Sequence, residues 1–101
     1  MPKATVAANA LRITDIPNVG KSIAEDLAEL GISFPHQLIG IDPYALYQRI
    51  NAESGTRHDP CLCDTFIAAV RFMEGAPSRP WWHYTDERKR HFARRRKVSG
   101  L

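Results

Sequence analysis

The stretch Ile16-Pro17-Asn18-Val19-Gly20-Lys21-Ser22-Ile23-Ala24 puts a turn, a flexible backbone point, a cation and a hydroxyl within a few positions of one another. Each position suits the handling of a phosphate. Pro17 fixes the direction in which the chain enters the turn, and Asn18 is of the non-glycine type that best tolerates positive φ. Val19 reads as an apolar plug between two elements. Gly20 lets the backbone approach a ligand closely and opens a helix whose first N–H groups lack intrahelical partners. Those N–H groups, at the positive end of the helix dipole, attract anions. The Lys21 ammonium and the Ser22 hydroxyl add donors that suit a nucleic-acid backbone.

Other constellations carry less. Gly20-Lys21-Ser22 echoes the end of a nucleotide-binding P-loop, but Asp15 stands where the earlier glycine belongs and no strand precedes it. Cys61-x-Cys63 has no second cysteine pair, and on a helix that spacing points the thiols to different faces. Free, buried or half-buried thiols are expected there, and no metal. His36, His58, His83 and His91 are scattered, and chance explains His58 beside Cys61 as well as a nucleophile–base pair does. No carboxylate cluster suggests a nuclease. A binding protein is expected, and no enzyme.

The elements that must position these residues are helical, since alternating strand patterns and hairpin dipeptides are absent. A first helix is expected over about Thr5 to Ile13, and a second over about Lys21 to Leu30. The second carries Ile23, Leu27 and Leu30 on one stripe and is stopped by Gly31 in the left-handed conformation. Ser33 precedes a short helix to about Leu38. Asp42-Pro43 and Asp59-Pro60 each pair a capping carboxylate with a proline suited to the first helical position. The helix after Pro43 turns Leu46, Tyr47 and Ile50 inward and ends near Ser54-Gly55. The helix after Pro60 has Leu62, Phe66, Ala69, Val70 and Met73 on one stripe and reads as the central core helix. Gly75 to Pro80 is a linker by composition. Trp81-Trp82-His83-Tyr84 follows, then a polar helix capped by Thr85 and running to about Lys97, which leans on the body through Phe92 and the tryptophans or frays.

Residues Ile13 to Gly31 thus resemble the helix-hairpin-helix motif of DNA repair and recombination proteins, with Asn18 where glycine is usual. The resemblance implies contact with a sugar–phosphate backbone, and no cofactor beyond the monovalent cation that such hairpins often hold on their carbonyls. The unit after Gly31, with Gly55-Thr56-Arg57-His58 as its turn, reads as a degenerate second copy. Over Leu11 to Asp86 the chain is similar to a family of small bacterial proteins labelled pathogenicity-locus or mitomycin-resistance-like. The likeness rests on the hairpin, Ala24-Glu25-Asp26-Leu27, Leu30-Gly31-Ile32, Asp42-Pro43 with Leu46-Tyr47, a cysteine-bearing apolar helix and Pro80-Trp81-Trp82. That resemblance implies a helix-hairpin-helix fold, DNA binding and an accessory part in DNA-damage tolerance.

Composition bounds these expectations. The 101 residues, 44% of them apolar, suffice for one modest core and contain no run long enough to span a bilayer. The N-terminus lacks the pattern of a secretory signal, so a cytoplasmic setting is expected. Charge is split: residues 1–75 hold six Lys and Arg against nine acids, a balance of −3, whereas 76–101 hold eight against Asp86 and Glu87, a balance of +6. Attraction to a polyanion should therefore come mainly from the tail. The sequence predicts an all-α fold of about five helices over 1–75 and a linker with a basic helix over 76–101. It predicts non-sequence-specific DNA-backbone binding by Asn18, Val19, Gly20, Lys21 and Ser22, joined by Arg88, Lys89, Arg90, Arg94, Arg95, Arg96 and Lys97. The alternative is a protein-interaction or dimerisation module, with the tryptophans and the core helix at a homodimer interface.

Overall fold

The computed structural model describes residues 3–99, with side chains described for 3–94. Among these residues there are four α-helices and no strand: α1 (Lys21–Glu29), α2 (Pro43–Ser54), α3 (Pro60–Met73) and α4 (Thr85–Ser99). Single turns of 3-10 helix occupy Ala7–Asn9, Ile13–Asp15, Pro35–Leu38 and Trp81–Tyr84. The fold is all-helical, but two of the expected helices are only turns.

The expected helix over Thr5 to Ile13 is interrupted where the backbone becomes extended at Ala10 and Arg12. Asp15 is the physical cause. Its carboxylate accepts the N–H groups of Leu11 at 3.1 Å and Arg12 at 3.0 Å, taking donors that a helix would use. Local side-chain acceptors compete with helix in this way, and so short a helix has little reserve. Between Ser33 and Leu38 the Gln37 side-chain Oε1 accepts from Ser33 N at 2.7 Å and Phe34 N at 2.9 Å, closing one turn.

The four longer helices follow the chemistry of their ends. Asp42 accepts from Tyr44 N at 2.9 Å, and Asp59 accepts from Cys61 N at 2.8 Å, so a carboxylate closes the start of α2 and of α3. Gly31, at φ 86°, stops α1, while Ile32 N reaches back to Leu27 O and Gly31 N to Ala28 O in a Schellman arrangement. Every residue of α3 from Cys63 to Val70 is buried. This central helix packs against α2 and against the Pro35–Leu38 and Trp81–Tyr84 turns. Leu46, Tyr47 and Ile50 of α2 belong to the same core, and Ile13, Ile16, Val19, Leu27 and Leu30 extend it under the turn before α1.

Helix α4 has almost no apolar stripe, so polar contacts fix its first turns. Asp64, fully buried in α3, accepts from Arg88 Nε at 2.8 Å and from the Thr85 hydroxyl at 2.7 Å. Thr85 therefore does not cap the helix; the Trp81–Tyr84 turn runs straight into α4, and the Thr85 hydroxyl points into the core. Glu87 accepts from Arg71 at 2.8 Å and from the Tyr44 hydroxyl. The His91 ring stacks on Tyr44 with centroids 3.6 Å apart, and Phe92 meets Tyr44 and Tyr47 edge-on. Tyr84 is buried, whereas Trp82 is 64% exposed, so only part of the aromatic cluster closes over the core.

Candidate nucleic-acid interface

The turn between Ile13–Asp15 and α1 is built from the inside outward. Val19 is completely buried and plugs the space beneath the turn. Asn18 takes φ 72°, the left-handed conformation that its residue type tolerates. Its side chain is engaged as well: Nδ2 donates to the Arg79 carbonyl at 2.7 Å, tying the tip to the linker before the tryptophans. Glycine could adopt this φ but could not make that bond.

On the inner side, Lys3 reaches the turn's own carbonyls. Its ammonium donates to Thr14 O and to Val19 O, and Ala4 N donates to Asp15 O at 2.8 Å. The N-terminal segment thus clips the two sides of the turn together with a positive charge between them. Asp15 is held below the usual carboxylate range, chiefly by the N–H of Arg12, with the N–H of Leu11 and the Arg12 guanidinium adding to it.

The outer side is open. Gly20 is extended, at φ −95° and ψ −175°, and no side chain caps α1. A Cβ at Gly20 would meet nothing within 4 Å. Neither local packing nor backbone strain therefore requires glycine here. Gly20, Lys21 and Ser22 are all exposed, so the start of α1 presents N–H groups, an ammonium and a hydroxyl to solvent together. This is the geometry that receives a phosphate oxygen.

The tail residues divide. Arg88, expected on the binding face, is engaged with Asp64, its side chain only 16% exposed. Lys89, Arg90 and Arg94 are exposed, and the side chains of Arg95, Arg96 and Lys97 lie outside the described residues. Sequence reasoning missed Lys3, whose role depends on a turn eleven to sixteen residues away, and Arg79, which the tip brings alongside Asn18. It also missed Asp64, although a carboxylate within the helix of the longest apolar stripe is a signal in itself, since such a group is rarely buried unpaired.

The remaining reactive groups are quiet. Burial pushes the Cys63 thiol up to about 12, and a hydrogen bond with Asp59 raises Cys61, so neither is poised as a thiolate. The His58 ring faces the Asn51 side chain at 2.8 Å, which orders the loop between α2 and α3. Among the described residues no group of three His, Cys, Asp or Glu could hold a metal, and no helix is long and apolar enough to cross a membrane.

The geometry describes a small helical protein in which the start of α1 is open and the starts of α2 and α3 are closed by carboxylates. Residues 6–90 match the family described as Cdd1, pathogenicity locus, and the chain belongs to that family. It is similar to the mitomycin resistance protein McrB of Streptomyces lavendulae, with 51% identity over 81 residues, covering 80% of this chain and 77% of the relative. No solved structure matches the chain.

Proposed function

We propose that this chain is a non-sequence-specific nucleic-acid-binding protein of DNA-damage tolerance, with the Ile13–Ser22 hairpin as its backbone-grasping element. The observation that carries this is the exposed, uncapped start of α1 over Gly20, Lys21 and Ser22, where no packing constraint calls for glycine. Asn18 and Val19 shape the turn from within, and the phosphate contacts fall to the N–H groups and side chains beyond them. Lys3 occupies carbonyls on which a monovalent cation would otherwise sit, so binding proceeds without an added ion. The exposed tail cations Lys89, Arg90 and Arg94, with Arg95, Arg96 and Lys97 further along the chain, supply the long-range attraction. Damage tolerance is drawn from the name of the Streptomyces relative, a mitomycin resistance protein.

A salt titration of the full chain against a generic duplex, a single strand and a junction tests this reading. Binding that weakens steeply with salt and is indifferent to sequence is the expected result. Absence of binding to all three at low salt would overturn it. A second reading, a protein-interaction module, is favoured by one observation: Leu11, Phe34 and Ile39 are 79%, 58% and 56% exposed around one apolar groove. Helix α3 is too buried to serve as the interface expected from sequence. Sedimentation showing a monomer at all concentrations would remove the homodimer form of this alternative.

A further inference from the structure

A second cleft lies at the other inter-helix turn. Tyr47 of α2, Arg57 in the loop before α3, Pro60 at the start of α3, and Arg88, Lys89 and Phe92 of α4 surround an open space of about 150 Å³. That is below the roughly 300–1,000 Å³ of pockets that engulf whole small molecules. Its walls are of two kinds. Tyr47 and Phe92 make an aromatic floor with rings 6.5 Å apart, and the Tyr47 hydroxyl is already engaged on the His58 carbonyl. Arg57, Arg88 and Lys89 make a cationic rim.

The charges around this rim are accounted for. Asp64 is fully buried and covered by Arg88, and Asp59 is turned to the α3 N-terminus, where the Cys61 N–H holds its carboxyl below the usual range. Arg57 and Lys89 are exposed and have no ion-pair partner among the described residues. Two free cations above an apolar floor match one sugar–phosphate unit, with phosphate on the rim and sugar against the rings.

We infer that this cleft is a second nucleic-acid contact, in which Arg57 and Lys89 hold one backbone phosphate and Tyr47 and Phe92 support its sugar. The inference rests on the nucleic-acid reading above and adds to it a site that does not use the hairpin. An acidic protein segment would also satisfy the rim. The floor favours a sugar, and the exposed Arg90 and Arg94 carry positive charge onward along α4 from Lys89 for further phosphates.

The test compares two double variants of the full chain on a generic duplex across a salt series. Arg57→Ala with Lys89→Ala changes exposed side chains only, so the melting temperature should stay near that of the parent. Arg12→Ala with Arg49→Ala removes the same charge from residues paired elsewhere, with Asp15 and Glu53. The first variant is expected to bind at least tenfold more weakly at low salt and to lower the salt slope by ~0.9, the value for one phosphate contact. The second is expected to leave the slope unchanged. Equal slopes for parent and Arg57/Lys89 variant, or equal losses in both variants, would overturn the cleft while leaving the hairpin reading intact. So would loss of polyglutamate binding with duplex binding unchanged. A parent that binds no duplex at low salt would remove the proposed function and this site with it.

Discussion

The start of α1 and the start of α3 follow the same local plan, a turn feeding the first N–H groups of a helix, yet their ends are finished in opposite ways. At α3 the Asp59 carboxylate accepts the Cys61 N–H at 2.8 Å, and the loop before it is closed by Asn51, which accepts the His58 N–H at 2.8 Å. At α1 the equivalent place is Gly20, which has no side chain to cap anything. Cation placement differs too: Lys3 lies on carbonyls inside the first turn, whereas Arg57 stands free outside the second. An end satisfied by its own carboxylate contributes stability and repels anions. An end left open gives up that stability and can accept an anion from outside. On the proposed function, backbone donors act at the first turn and side-chain cations at the second.

The largest expected effect falls on the closed side. Asp64→Ala leaves the Arg88 guanidinium without its buried partner and the Thr85 hydroxyl without its acceptor, and should cost about 3 kcal/mol. Urea denaturation measures this, and a loss under 1 kcal/mol (on the order of a surface pair) would mean that α4 is not held by this contact. Next comes pH. Cys63 ionises more easily when unfolded, near 9.0, than when folded, near about 12, so the folded state binds the extra proton in that window. Stability is full below that window and falls as pH rises through it, by at most about 1.4 kcal/mol per pH unit. Cys63→Ala should flatten the dependence just above pH 9; an unchanged slope would assign it to other groups.

The smaller effect falls on the open side. Lys3→Met removes the ammonium from two hairpin carbonyls and should cost about 1 kcal/mol, since charge-assisted bonds at a partly solvated site keep only part of their strength. Amide exchange at Ala4, Ile16 and Val19 should quicken, because Ala4 N and Val19 N close the same turn. Added potassium should restore part of that protection if the carbonyls form a cation site. Unaltered exchange would show that the turn stands without its clip.

Much of this contrast is legible in the residues themselves. Asp42-Pro43, Asp59-Pro60 and Gly31 announce their helix ends, because capping and left-handed stops depend on a few neighbouring atoms. The apolar stripe of α3 announces the core for the same reason. Asn18 could be read as a positive-φ residue, but not as the partner of Arg79, sixty-one residues further on. The helix over Thr5 to Ile13 failed where a single carboxylate, Asp15, outcompeted a weak local preference. Arg88 read as a surface cation because charge density along a helix carries no sign of a buried acid on another helix. Local signals survive in sequence; long-range pairings do not.

The central claim is that the start of α1 is left open for a phosphate, and Gly20→Asp tests it most directly. The substitution gives α1 the same finish that Asp42 and Asp59 give α2 and α3, and a Cβ at this position meets nothing within 4 Å. Thermal melting and duplex affinity, measured on the same preparation, should move in opposite directions. Stability should rise by about 0.5 kcal/mol from the new cap, while affinity falls at least tenfold. Gly20→Asn, which caps without charge, should fall between parent and Gly20→Asp. A Gly20→Asp protein that melts higher and still binds duplex within twofold of the parent would contradict the account.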